Sequence, residues 1–271
     1  MSDHLFRFGL SNGVVGDLPS WTAAARRAES LGYATFLLPD TLRTPAPLAA
    51  LAAAAAVTTS LRVGTWVLCD PLRNPRQLAW EAASLQQLCG GRFELGIGAG
   101  RPDAQAECAD LGVPFGTPGE RIARLSDTVA LLREKLPDTM IMVAASGPKL
   151  LNLAARTADI VAFGWPPATD TKAARERIDI VRSAAAESSP DVELAAGLIA
   201  VGDSAQPWLA RMGTDARALA AHGAITVITG TPRQMADELQ RRRDTLGLSY
   251  LTVPASAAEA FAPVVAELAN R

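Results

Sequence analysis

Histidine and cysteine are scarce in this chain, and their scarcity removes whole classes of chemistry. Two histidines (His4, His222) and three cysteines (Cys69, Cys89, Cys108) serve 271 residues. No pair of them has metal-ligand spacing, so no metal site is expected. Neither histidine falls near the end of a predicted strand, which leaves a Ser/His/Asp triad or a Cys/His pair without a base. G-x-S-x-G is absent, and so is G-x-x-x-x-G-K-[ST], which excludes a P-loop. Excess positive charge is lacking too: 26 Lys and Arg face 28 Asp and Glu, a formal net charge of -2. That balance argues against nucleic acid as a partner. The one basic run, Arg241-Arg242-Arg243, reads as a solvated helix face. The longest apolar run, Pro47 to Val57, is alanine-dominated and falls short of the roughly 20 residues of a membrane span. Met1-Ser2-Asp3-His4 shows neither the basic region nor the apolar core of a signal peptide, and His4 is placed in a flexible terminus. A low, odd cysteine count suits a reducing compartment. The expectation is a soluble cytoplasmic protein.

What is present is a regular alternation of strand and helix signals. Strands are predicted at Leu5–Leu10, Ala34–Leu38, Leu61–Cys69, Arg92–Ile97, Thr139–Ala144, Asp159–Phe163, Val192–Val201 and Ser249–Val253. Helices are predicted at Trp21–Leu31, Pro47–Thr59, Pro75–Leu88, Thr117–Leu136, Lys149–Arg156, Thr171–Ala186, Gln206–Ala221, Pro232–Leu246 and Ala257–Ala269. Ile122, Leu125, Val129, Leu132 and Leu136 recur at helical spacing. The run Ala224–Thr229 is β-like and has no assigned place. The strands are mostly continuous apolar runs, as in parallel strands buried on both faces. Eight strands, each followed by helix, predict a single-domain TIM-like (β/α)8 barrel over residues 1–271, with shortened loops. A doubly wound open sheet is the alternative.

In such a barrel, chemistry sits where strands end and βα loops begin. That rule selects Ser11, Asp40, Cys69, Asp70, Gly98-Ala99-Gly100-Arg101, Ala145-Ser146-Gly147, Gly164-Trp165 and Gly202-Asp203. The fourth strand, with Phe93, Leu95 and Ile97 in one row, runs into a turn spaced G-x-G-x-G at Gly96, Gly98 and Gly100. Missing Cβ atoms there let a flat or phosphorylated ligand approach the backbone. The spacing is not that of a Rossmann turn, and Arg101-Pro102-Asp103 is a poor helix start. Ser146 is a natural N-cap and Pro148 suits a first helical turn. With Lys149, that turn is either an anion site or a routine capped helix. Asp40 is either a turn residue or a carboxylate able to move a proton. Asp70 reads first as a turn before Pro71. Trp66 reads first as barrel filling and Trp165 as a pocket wall. With no nucleophile, metal set or acid/base pair, a bound cofactor is the expected carrier of the chemistry.

The string Arg62-Val63-Gly64-Thr65-Trp66-Val67-Leu68 is followed by Arg73-Asn74-Pro75, Ala79, Glu81-Ala82-Ala83, Leu85 and Gly90-Gly91-Arg92-Phe93-Glu94-Leu95-Gly96-Ile97-Gly98-Ala99-Gly100. Together they resemble the bacterial luciferase-like monooxygenase family, and within it the deazaflavin (F420)-dependent oxidoreductases. Gly32-Tyr33 with Pro39-Asp40, Ser146-Gly147-Pro148, Ala154-Ala155-Arg156, Ala158-Asp159-Ile160-Val161, Gly230-Thr231-Pro232 and Ala262-Pro263-Val264-Val265 extend the likeness over nearly the whole chain. The resemblance implies a TIM-like barrel with F420 or FMN in its mouth. It also implies a non-prolyl cis peptide at Trp66-Val67 or a neighbouring bond, which brings Thr65, Trp66 and Val67 to the ring. The ring would lie over the first four strands, near Ser11, Asp40 and Gly98 to Gly100. Its phosphate would meet Ala145, Ser146, Gly147 and Lys149, with Trp165 as a wall. A homodimer through barrel helices and a small-molecule substrate are implied as well. Two departures stand out: Thr41, not His, follows Asp40, and Arg101 stands where sugar-phosphate dehydrogenases of this type have an acid. Three readings result. One is F420-dependent hydride transfer, with Asp40 or a water supplying the proton. Another is an FMN monooxygenase with a separate reductase. The last is a non-catalytic paralogue, with or without flavin.

Overall fold

A computed structural model describes residues 4–13, 16–188, 191–206 and 208–271. The expected N-terminal segment Met1-Ser2-Asp3 lies outside the described residues. β1 (Arg7–Ser11) leads through α1 (Leu18–Ser30) to β2 (Thr35–Leu38), then through α2 (Pro47–Ala55) to β3 (Arg62–Thr65) and β4 (Leu68–Cys69). A 3-10 turn at Asp70–Leu72 and α3 (Pro75–Leu88) precede β5 (Phe93–Gly98), α4 (Ala104–Asp110) and α5 (Pro118–Lys135). β6 (Met140–Ala145), α6 (Pro148–Thr157), β7 (Ile160–Phe163), α7 (Thr171–Ser188) and β8 (Glu193–Gly197) continue the alternation. β9 (Ala200–Val201), β10 (Ser204–Ala205), α8 (Trp208–Arg211), α9 (Ala216–Ala221) and β11 (Val227–Ile228) form an excursion. α10 (Pro232–Leu246), β12 (Leu248–Pro254) and α11 (Ala258–Leu268) close the chain.

The large sheet runs β3-β2-β1-β12-β8-β7-β6-β5-β4, and the β3–β5 pairing closes it. All its pairings are parallel. β3 and β4 are two halves of one barrel strand, interrupted at Trp66 and Val67, so the barrel is eight-stranded, as expected. Aliphatic rows on the outer strand faces pack under the helices in one core that includes Phe36, Leu95, Val129 and Phe261. A smaller cluster, with Leu37, Met142, Ile160, Ala162, Ala195 and Tyr250, fills the barrel interior.

Several local expectations are corrected. The seventh strand stops at Gly197, and Leu198 and Ile199 carry the chain out of the barrel. Ile199 N–H donates to Thr226 O at 2.7 Å, and β9 pairs with β10 and β11 in a separate three-stranded sheet. That sheet gives the unplaced run near Val227 its partner. The long helix expected from Gln206 is instead two short ones around Gly213, whose φ is +71°; Pro207, within that span, lies outside the described residues. A short helix, α4, follows Arg101 where a loop is expected. The arginine run is not a solvated face throughout. Arg242 donates to Ile225 O (2.6 Å) and Val227 O (3.0 Å), Arg243 lies over the Phe6 ring, and Arg241 alone is 70% exposed. His4 is held by Asp191 at 3.0 Å rather than left free.

The N-terminal end of the barrel is closed by charge. Glu94 accepts from Arg7 Nη1 and Arg62 Nε, both at 2.6 Å, and from Tyr250 Oη at 3.0 Å. Arg7 also reaches Glu193 through Nη2 at 2.6 Å. Charge at this end is a matter of stability, because chemistry in this fold belongs to the opposite face.

Candidate active site

Strand alternation decides what faces the mouth. On β1 the inward row is Arg7, Gly9, Ser11; on β5 it is Glu94, Gly96, Gly98. On β6 it is Met140, Met142, Ala144, and on β8 it is Glu193, Ala195, Gly197. Arg7, Glu94, Met140 and Glu193 fill the lowest layer, and each of these rows ends in a small residue. Ala162 on β7 leads in the same way to Gly164, where a Cβ would lie 3.5 Å from Ser146 Cβ. The C-terminal mouth therefore has a floor of Ser11, Gly98, Ala144, Gly164 and Gly197. Thr252 borders it, with Oγ1 3.3 Å from the position of a Gly197 Cβ.

Trp66 is the large side chain on this floor. Its Cζ2 lies 3.6 Å from where a Gly197 Cβ would be. In the strand order β8 stands opposite β3, so the indole crosses the barrel. Val67 follows, with Cγ2 3.3 Å from a Gly98 Cβ position. The Trp66-Val67 peptide bond is cis, where the resemblance puts it. Thr65 is turned away from the mouth. Its hydroxyl donates to Gly96 O (2.7 Å) and accepts from Gly96 N–H (2.8 Å), a bracket between strands rather than a lining group. Gly96 is obligatory there, because a Cβ would come within 2.1 Å of Thr65 O. Gly100 has φ +84° and faces Cys69 Sγ at 3.0 Å from its Cβ position, and Ala99 O accepts from Arg121 Nε at 3.0 Å.

Asp40 is not a free acid. Arg73 pairs with its carboxylate, Cys69 N–H donates to Oδ2 at 2.9 Å, and the side chain is 3% exposed. Two partners on a buried carboxylate make it an anchor for the end of β4. Cys69 beside it has its thiol pushed up to about 12, by burial and then by the Asp40 charge, so it stays neutral. Asp70 accepts from Thr128 Oγ1 (2.8 Å) and Arg124 Nε (3.1 Å) and ties β4 to α5; burial raises its pKa. Gly202-Asp203 sits on the β9–β10 turn of the small sheet, not at the mouth, because the seventh strand ends early.

Beside the floor, α6 begins without the expected serine cap. Gly147 is the N-cap, no side chain caps it, and Pro148 opens the helix. Ser146, Gly147 and Lys149 are exposed on the rim, while Ala145 is buried and its carbonyl accepts from Gly164 N–H at 2.8 Å. An uncapped helix start leaves N–H groups for an anion. Trp165 stacks on Phe163 with centroids 4.3 Å apart and planes at 9°, and its buried Nε1–H has no acceptor. Among the described residues no group of His, Cys, Asp and Glu could hold a metal. Missed by sequence reading were Gly197, Ala144 and Thr252 of the floor, and Arg73, which occupies Asp40. The small residues are readable as the last inward position of each strand.

The sequence profile of the luciferase-like monooxygenases matches residues 4–140, just over half of the chain. The chain belongs to that family. Members of the luciferase-like family are oxidoreductases and monooxygenases, and this chain is an enzyme of that class. No curated protein sequence matches it. Among solved structures it is similar to a coenzyme F420-dependent tetrahydromethanopterin reductase from Methanopyrus kandleri, at TM-score 0.77 and 16% identity, over 98% of this chain and 99% of that one. An F420-dependent secondary alcohol dehydrogenase, solved with an F420–acetone adduct, gives TM-score 0.77 and 16% identity over 96% and 99%. A riboflavin lyase solved with modified FMN gives 0.76 and 16% over 98% and 93%. These likenesses establish the fold.

Proposed function

We propose that this luciferase-like enzyme is an F420-dependent oxidoreductase acting on a small organic substrate. The observation that carries the reading is the small-residue floor at the barrel mouth, which leaves room for a flat ring above Trp66 and Val67. The uncapped start of α6 and Lys149 suit the phosphate of F420 or of FMN. The unpaired Trp165 Nε1–H supports a polar ligand on the same side. Two similar structures named for F420 are in keeping with that cofactor, and one solved with modified FMN is in keeping with the FMN alternative. F420 supplies hydride transfer from its ring carbon when bound.

In this reading Ser11, Gly98, Ala99 and Gly100 line the ring, while Val67 and Trp66 back it. Ser146, Gly147, Lys149 and the α6 N–H groups hold the phosphate. Asp40 acts as a positioning residue: it fixes Cys69 N–H and thereby the end of β4. Water at the open mouth supplies the proton. Three unpaired thiols suit a reducing compartment such as the cytoplasm. A homodimer is part of the proposal. Trp80 and Leu88, 71% and 80% exposed, are two turns apart on α3 and offer an apolar stripe to a second copy.

The test is fluorescence titration of cofactor-free protein with F420 and FMN, repeated with Ser146→Asp. A carboxylate at a helix start favours the helix itself, so lost binding would not reflect unfolding. The expected result is preferred binding of F420 and about tenfold or greater weakening in the variant. Unchanged affinity would remove the phosphate assignment, and preference for FMN would move the reading to oxygen chemistry with a separate reductase. Binding of neither would favour a paralogue without cofactor.

A further inference from the structure

The ladder of β5 ends at Gly98, the last residue in register with Cys69 on β4 and with Ala144 on β6. The turn beyond it, Ala99-Gly100, has no strand to hold it. Gly100 sits at φ +84°, a conformation that glycine reaches freely and also leaves freely. At the far end of the same connection Gly116 has φ +76°, just before α5. A segment bounded in this way does not order itself, and one side chain reaches both of its ends. Arg121, near the start of α5, donates from Nε to Ala99 O at 3.0 Å and from Nη1 to Gly116 O at 2.8 Å. Its guanidinium also lies over the Phe115 ring, 4.0 Å from the centroid. Phe115 Cε2 is in turn 3.1 Å from the Cβ position of Gly100, and the same position is 3.0 Å from Cys69 Sγ.

The base of this clamp is rigid. Thr117 N–H donates to Glu120 Oε2 at 2.7 Å and Glu120 N–H donates to Thr117 Oγ1 at 3.3 Å, a reciprocal cap on α5. Two other arginines on this side of the mouth, Arg73 and Arg124, pair with the carboxylates of Asp40 and Asp70. Arg121 meets two backbone carbonyls instead. A guanidinium suits that task, because its planar fork holds two acceptors at once while its face stacks on a ring. We propose that Arg121 is a positioning residue: it holds the Gly98-Ala99-Gly100 turn and Phe115 together as one wall of the mouth, so that the turn is ordered before a ligand arrives. Ordering the turn in advance removes an entropic cost from binding. This role rests on the cofactor reading above for the identity of the ligand. It adds to that reading a residue that touches neither ring nor phosphate.

The test compares wild type, Arg121→Met and Arg121→Lys as purified chains, with F420 and FMN as probes and Glu94→Gln as the baseline. Methionine keeps the apolar stem and loses both hydrogen bonds; lysine keeps the charge and can hold one carbonyl. Glu94→Gln weakens the opposite end of the barrel and leaves the turn alone. Thermal unfolding first establishes the stability of each chain. Hydrogen exchange read by mass spectrometry should then show residues 99–117 exchanging about tenfold faster in the Met variant, with β6 and β7 as in wild type. Cofactor affinity should fall about tenfold in the Met variant and about threefold in the Lys variant, and should hold at the wild-type value in Glu94→Gln. If the Met variant does not fold, the Lys variant carries the comparison. Binding as tight as wild type in the Arg121 variants, or a loss no larger than that of Glu94→Gln, would make the arginine a structural brace and overturn the positioning role while the cofactor reading stands. Unchanged exchange over residues 99–117 would overturn it as well. If wild type binds neither probe, the cofactor reading fails and the positioning role fails with it.

Discussion

Replacing Glu94 by Gln tests how the barrel is closed at its N-terminal end. Glu94 is 1% exposed, and its carboxylate is shared by Arg7 and Arg62, whose side chains are 20% and 27% exposed. Burial opposes the charge on Glu94, but Arg7 and then Arg62 more than offset it, so the carboxyl is held below its usual range. The amide in E94Q keeps shape and one acceptor, and leaves two guanidinium groups facing a neutral partner. Removing one partner of a buried pair costs about 3–5 kcal/mol. Arg7 retains Glu193, and Arg62 retains Phe93 O at 3.2 Å and some water, which puts the loss near the lower end, about 3 kcal/mol. For a chain of this size each kcal/mol is worth about 2–4 °C, so the unfolding midpoint should fall by about 6–12 °C. Differential scanning calorimetry at neutral pH reads this directly. The pH sign follows from the depressed pKa. The contribution is complete above the ordinary carboxylate range and is lost as pH falls through the folded value, so the gap between wild type and E94Q should narrow in acid. A drop of under about 1 kcal/mol, or a gap that widens in acid, would refute the closure argument.

Gly96→Ala would push a Cβ to 2.1 Å from Thr65 O, and neither strand can move within a closed barrel. It should destabilise by at least about 2 kcal/mol in denaturant unfolding, and it should break the Thr65 bracket. Trp80→Glu with Leu88→Glu should turn the proposed dimer into monomer by sedimentation without altering the far-UV spectrum; an unchanged association state would remove α3 from the interface. Glu29 accepts from the backbone N–H groups of Thr59, Ser60 and Leu61 at 2.7–3.0 Å. Burial works against its charge, yet these bonds bring it down to about 2. Its stabilisation is present above about 4.5 and lost toward about 2, so Glu29→Gln should unfold earlier than wild type at neutral pH and converge with it in strong acid.

Much of the architecture is legible in the amino-acid order alone. The succession of strands and helices, the parallel character of the strands and the glycine turn follow from periodicity and local turn chemistry, which are properties of short segments. Even the small-residue floor is written in alternation: Gly9 and Ser11, Gly96 and Gly98, Met142 and Ala144, Ala195 and Gly197. What is not legible depends on partners distant in sequence. Asp40 has the position of an acid at a strand end, and only the fold shows that Arg73, 33 residues on, takes its carboxylate. Val192 to Val201 has one continuous β pattern, yet the chain leaves the barrel at Leu198 because Ala200 finds Val227 as a neighbour. Ser146 has the right chemistry for a cap, but the helix starts one residue later. Trp66 fits a barrel-filling role by its position in a strand, and the strand order alone puts Gly197 opposite it. Local sequence determines what each segment prefers to be. Which side chains meet across the barrel, and so which carboxylate is already paired, is decided by closure of the sheet.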